Sequence, residues 1–190
     1  MKYFILFGPP GAGKGTQAAL MVERFNFRHV STGDLLRREI KMGTELGKLA
    51  HELIDKGLLV PDEIVEAMIQ NEIENHPDAS GFIFDGFPRT TEQAEMLDNL
   101  LAARKEEVSS VIAIVIDDEM VKERIRHRAL IENREDDADD AIIANRIATY
   151  HQKTEPLIQY YKKGGKYNEI YGVGPVESIF ERICSLVEKF

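Results

Sequence analysis

The sequence predicts an α/β fold: a doubly wound parallel sheet with helices on both faces. Two patterns lead there. Short runs that are apolar at every position mark strands buried on both sides, and they alternate with longer stretches whose apolar residues recur at three- and four-residue spacing. Tyr3 to Phe7, ended by Gly8-Pro9-Pro10, is the first such run; Phe82 to Phe84 before Asp85 and Val111 to Ile116 before Asp117 follow. Arg28 to Val30 and Tyr167 to Tyr171 are more polar candidates. Helical spacing covers Lys14 to Arg24, Leu46 to Lys56, Asp62 to Ile73, Thr91 to Ala103, Glu119 to Arg128, Ala138 to Tyr161 and Val176 to Phe190. Two segments break the alternation. Residues 31–60 hold two or three short helices and no strand, and residues 129–137 lack periodicity between two long helices. Both are expected as insertions over the carboxyl edge of the sheet, where open α/β sheets place ligands.

A chain of 190 residues suggests one domain, and 43% hydrophobic with 30% charged residues suits a soluble globular protein with a real core. The net charge of −9 repels nucleic acid and anionic lipid, so any anionic ligand must be held by local basic groups. A single cysteine, Cys184, excludes an internal disulfide and a multi-cysteine zinc site, and a free thiol fits a reducing compartment. The opening apolar run is too short for a signal-peptide core or a membrane span. A cytoplasmic protein without membrane or nucleic-acid partners is expected.

Gly8-Pro9-Pro10-Gly11-Ala12-Gly13-Lys14-Gly15-Thr16 lies between a predicted strand and a predicted helix, the context of a phosphate-binding P-loop. Glycines let backbone N–H groups converge on phosphate oxygens, the helix amino end adds partial positive charge, and Lys14 can reach the β- and γ-phosphates. Gly15 stands where many such loops have a metal-binding Ser or Thr; Thr16 follows one place later, positioned for the α-phosphate. A magnesium ion would then rest on nucleotide oxygens, water and a carboxylate outside the loop, for which Asp85 is the candidate. In Asp85-Gly86-Phe87-Pro88-Arg89, Gly86 permits close backbone approach, Pro88 stiffens the turn and Arg89 offers a planar fork for phosphate; Gln93 beyond it carries an amide that can read a base edge. A third segment, Ser31-Thr32-Gly33-Asp34-Leu35-Leu36-Arg37, is followed after the next helix by Gly57-Leu58-Leu59-Val60-Pro61-Asp62. By themselves Ser31 or Thr32 could cap a helix and Arg37 could be a solvated charge.

Together the three segments resemble adenylate kinase, within the nucleoside monophosphate kinases, over essentially the whole chain: Gly8 to Thr16, Ser31 to Arg37 and Asp85 to Thr90 stand in the order of that family's three motifs. The resemblance implies a five-stranded parallel core (residues 1–30, 61–126 and 138–190), an AMP-binding insertion at 31–60 and a short lid at 127–137. It implies an ATP side formed by Gly11, Ala12, Gly13, Lys14, Gly15, Thr16, Arg128 and Gly174. The AMP side would comprise Thr32, Arg37, Leu58, Leu59, Val60, Gly86, Phe87, Pro88, Arg89 and Gln93. Arg124 and Arg128, four apart, share a helix face while Arg126 points elsewhere. By resemblance these two, with Arg134 and Arg146, join Lys14 and Arg89 at the phosphoryl groups.

The implied reaction is ATP + AMP ⇌ 2 ADP, with Mg²⁺ bound alongside ATP, no zinc in a lid that lacks cysteine, and a monomer as the expected state. Asn133 departs from the glycine usual before the lid arginine. Residues 121–128 carry net +3 against −5 for residues 132–140, so acidic residues such as Asp136 and Asp137 are expected to compete with phosphate for the arginines. Two alternatives stay open. A UMP/CMP kinase shares the fold and lid but usually has Ala at the Thr32 position and favours Asn at Gln93. A nucleotide switch would bind without transferring phosphate. The five histidines show no metal spacing and read as structural or surface groups.

Overall fold

The computed structural model describes residues 1–132 and 139–190. Five parallel strands, β1 (Lys2–Phe7), β2 (Arg28–Ser31), β3 (Gly81–Asp85), β4 (Ser110–Val115) and β5 (Tyr167–Tyr171), form one sheet in the order β2-β3-β1-β4-β5. Helices α1 (Lys14–Phe25), α2 (Thr32–Met42), α3 (Glu45–Ile54), α4 (Asp62–Glu74), α5 (Thr91–Ala103), α6 (Asp118–Glu132), α7 (Asp140–Thr149), α8 (Leu157–Lys163) and α9 (Val176–Val187) connect or follow the strands.

Alternate residues of each strand feed opposite cores. Tyr3, Ile5 and Phe7 with Phe82, Phe84, Val111 and Ala113 pack toward α4, α5 and α8, whereas Phe4 and Leu6 with Ile83, Ile112 and Ile114 pack toward α1, α6 and α9. This two-sided burial is why the strand sequences are apolar throughout. The polar β5 lies at an edge, where Tyr167, Asn168, Glu169 and Tyr171 keep some exposure. Register then sets the site: Leu6 of β1 stands beside Asp85 of β3, which stands beside Ser31 of β2. The loops leaving these strand ends therefore open side by side. The chain crosses from β3 over β1 to β4, placing a topological switch point, and with it a crevice, at the end of β1.

The single long helix expected over Ala138 to Tyr161 is broken. After α7 the chain makes a π-helical turn, Tyr150–Thr154, in which Glu155 N–H reaches back to Tyr150 O at 2.8 Å, and α8 starts after Pro156. Pro156 has no N–H to donate, and its ring would strike the carbonyl four residues earlier in a continuous helix. At the other boundary the helix expected to end at Arg128 continues to Glu132. Within residues 31–60, Ser31 caps α2 by accepting from Asp34 N–H (3.3 Å), and Thr44 caps α3 by accepting from Gly47 N–H (2.9 Å). The α2–α3 pair depends on Gly47: a Cβ there would stand 2.1 Å from the Glu39 carbonyl oxygen.

Gly47→Ala must push α2 and α3 apart and is expected to cost about 1–3 kcal/mol. Hydrogen exchange should show protection lost across residues 32–54 while β1, β3 and β4 stay protected.

Candidate functional site

The strand-end loops surround one cleft of about 740 Å³. Every described residue that the sequence nominated lies on its wall: Gly11 to Thr16, Thr32, Arg37, Leu58 to Val60, Asp85 to Arg89, Gln93, Arg124, Arg128, Arg146 and Gly174. Arg134 and the acidic residues Asp136 and Asp137 lie outside the described residues.

On one side the glycine loop leaves β1 and turns into α1 at Gly13, whose φ of 93° is the left-handed conformation a side chain rarely adopts. Lys14 folds back over the loop, its Nζ donating to Gly8 O (3.0 Å) and Pro9 O (2.9 Å). Burial pushes the Lys14 ammonium down to about 8; Asp85 opposes the shift, while Arg89, Arg128 and Arg146 add to it. Arg124 ties the loop to the far edge of the sheet, donating to Ala12 O (3.3 Å) and Gly172 O (2.9 Å). Arg124 and Arg128 share the cleft-facing side of α6, and Arg126 turns away to pair with Asp140 at 2.9 Å. Gly174, with φ 115°, lies on the wall with open space where its Cβ would be.

On the other side, Gly86 has φ 77°, and a Cβ there would stand 2.7 Å from the Arg89 guanidinium and 3.0 Å from Thr32 Oγ1. Its carbonyl accepts from Arg89 Nε (2.7 Å) and Thr32 Oγ1 (2.9 Å), so one peptide oxygen fixes both side chains. Burial, with the charge of Arg146 next, pushes the Arg89 guanidinium down to about 10. Arg37 bonds Asp34, and Arg146 rises from α7 against Gly57, its Cγ 3.0 Å from where a Cβ would stand there. Among the described residues, Lys14 and five arginines thus share a wall with two carboxylates, Asp34 and Asp85, in a chain whose net charge is −9. Such a wall suits a ligand carrying several negative charges.

Asp85 lies between the halves. Burial raises its carboxyl, but His29, Lys14 and Arg89 outweigh that and hold it below the ordinary aspartate range. Its Oδ2 lies 3.7 Å from the position a Cβ would take on Gly15, so the missing side chain leaves the carboxylate open toward the loop.

Four further residues, on the wall or behind it, were given no site role by the sequence. His29 Nε2 approaches Asp85 Oδ2 at 3.6 Å, and His127 lies on the wall. Asp62 bonds both Thr90 Oγ1 (3.1 Å) and Gln93 Nε2 (2.6 Å), and Gln17 Nε2 donates to Val176 O across 159 positions (3.1 Å). Strand pairing places His29 beside the β3 edge, a relation linear spacing does not reveal. Pro61-Asp62 at the start of a predicted helix was the available signal for Asp62.

A glycine loop opening the first helix of a parallel sheet, across a cleft from a second cationic loop, defines a P-loop phosphate-binding domain. The family model described as adenylate kinase matches residues 6–166. Among similar proteins, an adenylate kinase of Flavobacterium johnsoniae is 46% identical over 184 residues, covering 97% of each chain. One of Phocaeicola vulgatus is 44% identical over 189 residues and covers all of both. One of Methanothrix thermoacetophila is 38% identical over 98% of each. The chain belongs to the adenylate kinase family.

The Lys14 shift has a consequence for stability. With its folded value depressed from 10.5 to about 8, the cost of burying the charge is fully present below pH 8 and is relieved as pH rises toward 10.5. Without ligand, Lys14→Met is expected to melt a few degrees above the wild type at pH 7, the gap narrowing by about pH 9. Thermal unfolding across that range checks it.

Proposed function

We propose that the cleft seats ATP and AMP end to end and catalyses ATP + AMP ⇌ 2 ADP. The observation that carries this reading is the convergence of Lys14, from the loop after β1, and Arg89, from the loop after β3, on one cationic cleft. The halves are suited to two phosphate chains pointing at each other.

ATP lies along the glycine loop, Gly11 to Thr16, with Lys14 on its β- and γ-phosphates and Gly174 near its base. AMP lies along Thr32, Arg37, the Leu58 to Val60 backbone and Gly86 to Arg89, with Gln93 against its base. An oxygen of the AMP phosphate attacks the γ-phosphorus in line; a new P–O bond forms as the bond to the bridging oxygen breaks, and the departing ADP keeps that electron pair. The attacking oxygen is already anionic near neutral pH, so no side chain need remove a proton. Lys14, Arg89, Arg124, Arg128 and Arg146 offset repulsion between the approaching anions and stabilise the charge spread over the transferring group. Arg134 joins them on the sequence resemblance alone.

Asp85 fits a magnesium ion as one carboxylate reached through water. The ion would arrive with the nucleotide; among the described residues there is no cluster of three or more His, Cys, Asp or Glu that could hold a metal. When bound it neutralises phosphate charge; the absence of cysteine from residues 127–137 leaves no zinc site of the cysteine type.

We read residues 31–60 as the AMP-side insertion and 127–137 as a lid. The first is supported by α2 and α3 packing on each other while Thr32, Arg37 and Leu58 to Val60 face the cleft. Arg128 and Ile131 on the cleft wall support the second. Closure would keep water from replacing AMP as acceptor. A monomer in the cytoplasm is the expected form, and among the described residues no helix is long and apolar enough to cross a membrane.

A coupled assay offering ATP with AMP, UMP, CMP or water separates the readings. Turnover with AMP is expected; turnover confined to the pyrimidine nucleotides would select a UMP/CMP kinase, and binding without transfer a switch. Arg89→Ala is expected to lose about a hundredfold or more in kcat with the fold intact, and normal turnover in that variant would reject the two-anion cleft.

A further inference from the structure

The amide of Gln93 is held at both ends by groups of opposite hydrogen-bonding character. Its Oε1 accepts from the Arg89 backbone N–H at 2.8 Å, and its Nε2 donates to Asp62 Oδ1 at 2.6 Å. A backbone N–H can only donate and an ionised carboxylate can only accept. One orientation of the amide satisfies both; the flipped one sets donor against donor and acceptor against acceptor. Asp62 is itself anchored, its Oδ2 accepting from Thr90 Oγ1 at 3.1 Å, and the same hydroxyl caps α5 by accepting from Gln93 N–H at 3.2 Å. Gln93 is 2% exposed and on the cleft wall, whereas Asp62 stands behind it in the first turn of α4, off the wall.

Each end of the held amide keeps one unused capacity, a second lone pair on Oε1 and a second hydrogen on Nε2. An acceptor beside a donor matches the amino group and adjacent ring nitrogen of adenine, the pairing by which glutamine reads adenine in general. A 6-oxo purine presents an oxygen where adenine has its amino group. Against Oε1 that sets lone pair against lone pair, and turning the amide to suit it breaks the bonds to Arg89 and Asp62 together.

We propose that Asp62 is a specificity-determining positioning residue, whose carboxylate locks the Gln93 amide in the orientation that admits a 6-amino purine monophosphate and rejects a 6-oxo one. This rests on the reading that the AMP base is seated against Gln93. Asp62 acts through the amide and does not touch the substrate. Because the Arg89 N–H still holds the other end, loss of the carboxylate weakens the discrimination without erasing it.

The test compares kcat/KM for AMP and for inosine 5′-monophosphate at saturating ATP in the wild type, Asp62→Ala, Asp62→Leu and Gln93→Leu, with melting temperatures alongside. In the Asp62 variants the AMP-to-inosine ratio is expected to fall about tenfold, through the two monophosphate KM values, while kcat and the KM for ATP stay within about twofold. Should the alanine protein not fold, the leucine protein, close in size to aspartate and without an acceptor, decides the matter. A purely structural role would lower the melting temperature and leave the ratio alone, and an unchanged ratio in the folded variants overturns the proposal. If Gln93→Leu also leaves the ratio unchanged, the seating of the base against Gln93 fails with it. A fall in Gln93→Leu but not at Asp62 overturns the role of Asp62 alone, and a wild type that makes no ADP from ATP and AMP sinks the kinase reading and this inference together.

Discussion

Like charges drawn together out of water are the constraint on which the rest of this structure depends. Lys14 and Arg89 are both pushed below their ordinary values, and the chief cause in each is burial rather than a neighbouring charge. Arg146 then adds to both shifts. Left to themselves these side chains would turn toward solvent, so the scaffold must hold them. Backbone carbonyls do that work: Gly8 and Pro9 for Lys14, Gly86 for Arg89, and Ala12 and Gly172 for Arg124. Carbonyl oxygens satisfy the donors without cancelling the charge, and the positive field persists toward the cleft.

The parallel sheet makes the arrangement possible at small cost. Neighbouring strands end in register, so the loops after β1 and β3 begin side by side and their cations need no long reach. Two buried cores, one on each face of β1, keep those ends fixed. Across the cleft, the π-helical turn ahead of Pro156 brings Tyr150 and Thr154 to the wall, and the Thr154 hydroxyl bonds Arg89 O at 2.9 Å. A break in a helix thereby becomes a buttress for the second loop.

Much of this was legible in the sequence because its signals are local. Uniformly apolar strands imply burial on both faces, and a glycine loop between strand and helix implies phosphate. The break at Pro156 was also local and is what an internal proline imposes, yet the apolar spacing on either side of it suggests one continuous helix. The groups behind the wall were not legible. His29 meets Asp85 only through strand pairing, and Asp62 reaches Gln93 only because the starts of α4 and α5 come together. Interactions between residues 31 or 56 positions apart leave no period in the chain, and the polar residues involved read equally well as caps or surface charges.

Proton linkage tests the central claim most directly. A lysine whose depressed value is about 8 is about half protonated at pH 8, and a phosphate chain against it restores the charge. The phosphates of ATP are already ionised at that pH, so they have no proton to release, and the surrounding cations disfavour their taking one. Calorimetric titration of ATP at pH 8, in buffers of different ionisation enthalpy, should therefore show uptake of up to about half a proton per nucleotide, absent in Lys14→Met. Binding heats that do not change with the buffer would contradict it.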